Sequence, residues 1–155
     1  METVRKRVLV GLKNRLDQAA KPEIGSEGLE PTIHRARSIP IQKDDLPAVA
    51  IFAVSDGQRE LDHESYDHRF RVAAELRVKT PDEVDEPTDD LLEELIAWVV
   101  SVVMGDPTLG GKIHRLIRRE VSWADAQFLD RGYGACQVVF EASFSTPDDD
   151  ETTLS

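Results

Sequence analysis

The stretch GDPTLGGKIH, residues 105–114, contains three glycines and a lysine, residue types that can wrap a phosphate group. A Walker A loop has four residues between its first glycine and the Gly-Lys pair, and then a Ser or Thr that holds magnesium. Five residues separate Gly105 from Gly111-Lys112 here, and Ile113 follows. Phosphate loops also follow a strand and open a helix, whereas a helical pattern precedes this one. We therefore predict a helix end and a turn, and no nucleotide site.

Four potential metal ligands lie within the stretch HESYDH, residues 63–68. They are His63, Glu64, Asp67 and His68. Zinc needs three or four converging ligands and partners that orient each of them. The HExxH spacing is absent, and the other two histidines, His34 and His114, lie in distant segments. We interpret the stretch as a polar loop that leads into a strand. A small metal-dependent hydrolase is an alternative that requires these four side chains to converge.

Cys136 is the single cysteine, so the chain contains neither an internal disulfide nor a cysteine-rich zinc site. Its place on the apolar face of a predicted strand indicates a buried structural thiol. A Ser-His-Asp or Cys-His arrangement stays open, although a Gly-x-Ser-x-Gly elbow is absent. The acids of residues 82–94 could form a carboxylate pair for acid–base chemistry, but a solvated helix start explains them better. We predict no enzyme activity, no cofactor and no metal.

Length and composition predict one domain. The chain has 155 residues, of which 40% are hydrophobic and 32% are charged, as in a soluble globular protein. No apolar run approaches the ~20 residues of a membrane span, and the basic N-terminus lacks the apolar block of a secretory signal. We assign residues 1–146 to a single domain with a long loop at 21–45, and residues 147–155 to an acidic disordered tail.

Apolar spacing predicts two helices. The first spans residues 3–20, with Thr3 as its N-cap. Its apolar face consists of Val4, Val8, Leu12 and Leu16. The second spans residues 88–104 and ends at Gly105 and Pro107. The acids around its start complement the helix dipole.

The clearest strand pattern lies at residues 69–79, where apolar and charged residues alternate. The apolar face consists of Phe70, Val72, Ala74, Leu76 and Val78. The outer face is basic, and we predict that it forms an interface between subunits. The candidate interface residues are Arg69, Arg71, Arg77 and Lys79. A solvated sheet face is the alternative.

The other strands are predicted from shorter patterns. Residues 46–54 favour a buried strand followed by a turn at SDGQ, and residues 33–43 favour a short edge strand interrupted by Pro40. Residues 113–124 lead into a second hairpin, with Val121 and Trp123 pointing inward and DRGYG at or near the turn. Residues 136–144 alternate again, with Glu141 pointing outward. The predicted class is α+β, a mostly antiparallel sheet packed by two main helices in a single domain.

The net charge of −11 is concentrated in two segments. Residues 82–94 carry eight acids and no base, and residues 147–155 carry four acids and no base, so the rest sums to about +1. This distribution gives no broad footprint for nucleic acid. The candidate residues for an acidic channel or rim are Asp82, Glu83, Asp85, Glu86, Asp89 and Asp90. In an assembly of copies, these acids and the basic strand face are complementary surfaces.

Several blocks occur in an order typical of one protein family. They are the helix VRKRVLVGLKNRL, the block DDLPAVAIFAV, the helix DDLLEELIAWVV, the segment LGGKIHRLIRREV and the closing strand GYGACQVVFEASFST. This order resembles the minor tail proteins that terminate the tails of long-tailed bacteriophages, of the phage lambda type. The resemblance covers roughly residues 4–146 and rests on block order and on the DLPAVAIF block. The long loop and the acidic tail depart from the family pattern.

The resemblance implies an α+β domain assembled as a hexameric ring on the last ring of the tail tube. Such a ring halts tube polymerisation and presents a surface to the head–tail connector protein, at the head-proximal end of the virion tail. It assembles in the host bacterial cytoplasm, binds no membrane, and lets DNA pass without specific binding. Acids lining the channel would disfavour DNA contact by like charge. The alternative is another acidic adaptor of the neck or head–tail joint.

Overall fold

A computed structural model describes residues 2–35, 45–62, 64–79, 88–123 and 133–154. Within these ranges the chain forms two helices and one five-stranded sheet. The elements are α1 (Val4–Gln18), β1 (Thr32–Arg35), β2 (Ala48–Asp62), β3 (Ser65–Lys79), α2 (Thr88–Met104), β4 (Arg115–Trp123) and β5 (Tyr133–Pro147). The strand order is β1-β2-β3-β5-β4. Only β1–β2 pairs in parallel; the other pairs are antiparallel. The predicted α+β class is confirmed.

Both predicted helices form, although α1 ends at Gln18 rather than at the predicted residue 20. The Oγ1 atom of Thr3 accepts a hydrogen bond from the Lys6 amide at 3.1 Å, which confirms the predicted N-cap of α1. The bounds of α2 match the predicted residues 88–104. The Nε atom of Arg15 donates to the Val102 carbonyl at 2.7 Å, so α1 satisfies a carbonyl in the last turn of α2. A Cβ at Gly105 would lie 2.9 Å from Nη2 of Arg15, so glycine permits this approach.

The hydrophobic core lies between the helices and one face of the sheet. α1 packs on β1 and β2, α2 packs on β3, β4 and β5, and the two helices contact each other. Alternate residues of β3 and β5 point into this core, as the apolar patterns predict. The largest fully buried apolar side chains include Phe70, Phe140, Phe144, Leu12, Leu16, Leu92 and Leu95.

The predicted turn at SDGQ is wrong, because β2 continues through these residues to Asp62. A bulge between Ala53 and Ser55 shifts the register, and Gly57 then pairs with Arg69 of β3. The chain reverses after Asp62, whose Oδ1 atom accepts from the Glu64 amide at 2.8 Å. The second half of β2 is exposed, so its residues are polar and resemble the sequence of a turn. Of the predicted edge strand at 33–43, residues 33–35 lie in β1 and residues 36–43 lie outside the described residues.

Two side-chain predictions in the second hairpin are also wrong. Trp123 was expected to point inward but is 49% exposed, because it lies at the end of the edge strand β4. Glu141 was expected to point to solvent but is 5% exposed. Tyr133 and Gly134, expected at the turn, belong to β5, and residues 124–132 lie outside the described residues.

The C-terminal segment contacts α1, which differs from the unpacked tail expected from its acids. The Val4 amide, at the start of α1, donates to the Glu151 carbonyl at 2.9 Å. The guanidinium of Arg7 donates to the Thr152 carbonyl, and Leu154 packs against the core. The first amides of a helix have no hydrogen-bond partner within that helix. The start of α1 therefore provides a donor for the C-terminal segment, and the charge pattern of the sequence does not show this.

Candidate functional site

The four basic residues predicted as an interface lie on one face of β3. In the described part of the chain, both helices pack on the opposite face of the sheet, and we call the uncovered face the open face. Arg69 and Arg71 are exposed, whereas Arg77 and Lys79 are half-buried. The sequence therefore identified these positions as one surface.

The open face is ion-paired rather than uniformly basic. The Nε atom of Arg77 lies 2.5 Å from Oε1 of Glu75. Glu141 on β5 lies between two guanidinium groups, 3.6 Å from Arg71 and 2.7 Å from Arg119. Because the Glu141 carboxylate is almost fully buried, these two cations compensate its charge. This explains why an acid that alternates with apolar residues is not solvated.

Small apolar residues form the middle of the open face. Ala73 of β3 pairs with Val139 of β5 and with Phe52 of β2. Five residues that belong to this face by register are at most 9% exposed and lie outside the core cluster. They are Ala48, Ala50, Ala73, Ala135 and Val139. Because these five residues are buried, the exposed part of the open face is charged and includes Arg69 and Arg71.

The acidic residues predicted for a channel or rim are described only in part. Asp89 and Asp90 lie in the first turn of α2 and are exposed. Their carboxylates are near the N-terminal amides of the helix, which they stabilise. The other four candidates, Asp82, Glu83, Asp85 and Glu86, lie outside the described residues.

A buried polar cluster joins the distal ends of β2, β3 and β5. The Nδ1 atom of His68 lies 2.8 Å from Oδ2 of Asp56, and its Nε2 atom lies 2.7 Å from Oγ1 of Thr146. Because an ionised carboxylate only accepts, Nδ1–H donates to Asp56, while Nε2 forms a second hydrogen bond with the Thr146 hydroxyl. The imidazole also stacks on Phe144, with ring centroids 4.6 Å apart. His68, on β3, thus links its own strand to β2 and to β5.

Arg5 extends the cluster to α1 and to the C-terminal segment. Its Nη1 atom lies 2.8 Å from Oδ2 of Asp56, and its Nη2 atom pairs with Glu151. The hydrogen bond with Glu151 and the carboxylate of Asp56 raise the pKa of the Arg5 guanidinium, against an opposing effect of burial. In the described part of the chain, the buried Oδ1 atom of Asp56 has no hydrogen-bond partner. The cluster therefore ties the start of α1 to the sheet.

The order carboxylate, imidazole, hydroxyl in Asp56, His68 and Thr146 matches that of a hydroxyl-nucleophile triad. A cavity of about 240 Å³ lies beside it, with Gln58 and Tyr66 among its lining residues. However, Thr146 is only 1% exposed, so its hydroxyl has almost no surface for a substrate. The geometry fits a structural role, in which the cluster holds β2, β3 and β5 together, better than a catalytic role.

Convergence of the HESYDH ligands, which a metal-dependent hydrolase requires, does not occur. Asp67 and His68 are neighbours on β3, so their side chains point to opposite faces of the sheet. His63 lies outside the described residues. Among the residues that the structure describes, no group of three His, Cys, Asp or Glu side chains is placed to hold a metal ion.

Sequence reasoning missed the Asp56–His68 pair because it assigned Asp56 to a turn. One signal was present, since His68 has the same alternation phase as Phe70 and Val72 and therefore had to point into the core. The prediction for Cys136 is confirmed, because its thiol is buried. Burial raises the pKa of Cys136 to about 12, with smaller contributions from Glu93 and Glu75.

The fold and the two surfaces define a single-sheet α+β domain with one helix-packed face and one open, ion-paired face. No family model matches the chain, and no curated protein matches it either. In the ranges given above, no helix is long and apolar enough to cross a membrane.

Proposed function

We propose that this chain is a structural virion protein that forms a ring, caps the phage tail tube and provides the joining surface for the head–tail connector. The order of its sequence blocks supports this role, because it resembles the tail-terminator family over roughly residues 4–146. The fold is of the kind that the resemblance implies, an α+β domain with helices packed on a sheet. The low exposure of Thr146, 1%, agrees with a structural rather than a catalytic use of the buried polar cluster.

The observation that carries the proposal is the open face. Arg69 and Arg71 are exposed on this face, whereas the small apolar residues at its centre are at most 9% exposed. The exposed acids Asp89 and Asp90 lie at the start of α2, an element packed on the other side of the sheet. A second copy could place its acids against the arginines of the first, so each copy carries both halves of a charged contact.

Termination is geometric in this proposal. The ring occupies the growing end of the tube and offers no equivalent site on its far side, so addition of tube subunits stops. Six copies carry a formal charge of 6 × −11 = −66. If part of this charge lines the channel, DNA passes without binding, because like charges disfavour contact.

The test is a capping assay with the tail-tube protein of the same phage. Purified chain added to polymerising tube protein is expected to shorten the tubes in electron micrographs, with one ring at one end. Arg69→Glu with Arg71→Glu is expected to weaken capping, whereas Lys6→Glu with Lys112→Glu, exposed residues on α1 and in the segment between α2 and β4, is the charge-matched control. Tubes of unchanged length, with no chain bound at their ends, would contradict the proposed function.

A further inference from the structure

Two arginines of the open face lie on either side of Ser143. Ser143 of β5 pairs with Arg69 of β3 and with Arg115 of β4, so the three residues lie at one level of the sheet. Leu116 is fully buried in the core, so its neighbour Arg115 points to the open face. Both arginines are exposed, whereas Ser143 is half-buried. Two strand spacings place their Cα atoms about 10 Å apart, with one short side chain between them.

The adjoining level of the sheet adds two more arginines. There Arg71 and Arg119 pair with the single carboxylate of Glu141. Arg69 and Arg115, by contrast, form no ion pair within the described residues. We call the four residues Arg69, Arg71, Arg115 and Arg119 the arginine cluster. With four arginines and one glutamate, this part of the open face has a net charge of +3.

The solvent side of α2 carries the opposite charge. Asp89, Asp90 and Glu93 are exposed there, in the first two turns of the helix, and we call them the acidic ridge. Glu94 is exposed as well, but its Oε2 atom accepts from the Gly25 amide at 3.1 Å. Across the described ranges, the three ridge carboxylates have neither an ion pair nor a hydrogen bond. They span about 6 Å of the helix axis.

The arginine cluster and the acidic ridge lie on opposite sides of the sheet. α2 packs on the face that forms the core, whereas the arginines point to the open face. The ridge of one chain therefore cannot reach the cluster of the same chain. Contact between two open faces would place arginines against arginines, and contact between two α2 helices would place acids against acids. Like charges disfavour both symmetric contacts, whereas a head-to-tail contact pairs opposite charges.

We propose that the acidic ridge of one copy docks on the arginine cluster of the next copy, so that α2 lies over Ser143 of its neighbour. This inference rests on the proposed ring and names the contact that joins its subunits. The dimensions agree, because Arg69 and Arg71 are about 7 Å apart along β3, close to the length of the ridge. A guanidinium group can also bind a carboxylate through two parallel hydrogen bonds.

The docked arrangement also determines how copies follow one another. Each chain has one cluster and one ridge, and the two surfaces differ, so every contact has the same direction. Such heterologous contacts close into a ring when the rotation between neighbours allows it. The helix of the neighbour would add a second layer to the sheet, on the face that neither helix of the same chain covers.

Two variants that fail alone and assemble together test the docking directly. Arg69→Glu with Arg115→Glu reverses the charge of the cluster. Asp90→Lys with Glu93→Lys reverses the charge of the ridge, while Asp89 still stabilises the helix start. Each variant alone is expected to need about ten times more protein for half-assembly than the wild type. An equimolar mixture is expected to assemble as the wild type does, because every contact between unlike chains again pairs opposite charges.

Native mass spectrometry with one variant isotopically labelled counts the copies of each. Rings of six with three copies of each variant are expected, because the two variants must alternate. The control Lys6→Glu with Lys112→Glu has the same net charge as the cluster variant, and it is expected to form rings alone without taking in the ridge variant. Urea unfolding checks that every variant folds. Asp90→Asn with Glu93→Gln, which removes the two charges without reversing them, is expected to weaken assembly less.

The outcomes separate this inference from the proposed ring. If the wild type forms hexamers and the cluster variant forms them at the same concentration, the docking is wrong and the ring survives. A mixture that does not recover assembly also overturns the docking. If the cluster variant keeps its hexamer but loses binding to a short DNA duplex that the wild type binds, the arginines contact phosphates instead. If the wild type forms no oligomer alone or with tube protein, the ring and the docking both fail.

Discussion

His68 shows how one residue holds distant segments together. Its ring connects Asp56 on β2 with Thr146 on β5 and stacks on Phe144. The carboxylate of Asp56 accepts hydrogen bonds from this ring, from Arg5 and from Gln58. Removal of the ring therefore takes one donor from Asp56 and leaves the buried Thr146 hydroxyl without its His68 partner, and an unsatisfied buried polar group is costly.

We expect His68→Ala to lower the free energy of unfolding by about 1–3 kcal/mol for the hydrogen bonds alone, because Asp56 and Thr146 lose a partner. Urea unfolding followed by circular dichroism measures this change. His114→Ala is the control, because His114 is exposed, and its effect is expected within about 0.5 kcal/mol. Equal stability of the two variants would show that the Asp56–His68–Thr146 cluster does not stabilise the fold.

Cys136 provides a second test at this scale. Its thiol is buried, and its pKa is raised to about 12, so almost no thiolate exists at neutral pH. We expect an aromatic disulfide reagent at pH 8 to leave the folded chain unlabelled and to modify one thiol after unfolding in guanidinium. Labelling of the native chain as fast as of the unfolded chain would contradict a buried thiol.

The sequence predicted the phase of His68 but not its partners. Alternation along β3 places position 68 on the same face as Phe70, so burial follows from the pattern alone. Asp56 lies in a strand whose distal half is exposed, and no hydrophobic alternation marks it. The prediction for Glu141 was wrong for a different reason, because Arg71 and Arg119 on neighbouring strands pair with its carboxylate. Contacts between strands far apart in sequence leave no local signal.

At the scale of the elements, the tightest approach joins α2 to β5. A Cβ at Gly134 would lie 2.2 Å from Cγ2 of Thr88, much closer than carbon atoms can pack. Gly134 pairs with Val78 and is buried, so the strand has little freedom to move away. Glycine at this position therefore sets the distance between the helix and the sheet.

We expect Gly134→Ala to destabilise the chain by about 1–3 kcal/mol through overpacking. Thr88→Ala removes the clashing methyl group, so the double variant is expected to recover most of that loss. A double-mutant cycle on urea unfolding measures this coupling. Additive effects, with no recovery in the double variant, would show that the two residues do not limit the packing.

The C-terminal segment is expected to respond to pH. Hydrogen bonds from Thr152 and Thr153 lower the pKa of the Asp150 carboxyl, whose ordinary value is 3.8. A group with a lowered pKa stabilises the fold above its ordinary value, and this contribution is lost as pH falls toward the lowered value. The segment is therefore expected to loosen from α1 in acid below about pH 4, not in base.

Nuclear magnetic resonance of the Thr152 amide measures this loosening, because that amide donates to Oδ1 of Asp150 at 2.8 Å. Its chemical shift is expected to move between pH 5 and pH 2. Asp150→Asn is expected to remove that transition, whereas Asp62→Asn, which changes the hairpin turn, leaves it intact. A transition that persists in Asp150→Asn would assign the effect to another group.

How well the sequence predicts each element depends on whether that element buries a regular apolar face. The second helix and β3 were predicted closely, because each buries one regular face against a single core. The second half of β2 and the C-terminal segment lack such a face. Their polar residues therefore did not indicate that the first forms a strand and that the second packs against the rest of the chain. Packing against another element, rather than composition, determined those outcomes.

At the scale of the whole molecule, the proposed function depends on assembly. Arg69 and Arg71 on the open face and Asp89 and Asp90 at the start of α2 are exposed on the single chain. In the proposed ring, these opposite charges of neighbouring copies face each other in a head-to-tail contact.

Native mass spectrometry of the purified chain across a concentration series tests this central claim most directly. One chain has a mass of 17.4 kDa, so a closed ring of six is expected at about 104 kDa, without intermediate species dominating at high concentration. A stable dimer as the final species would contradict a ring. A monomer throughout, and still a monomer after mixing with tube protein, would contradict both the ring and its capping role.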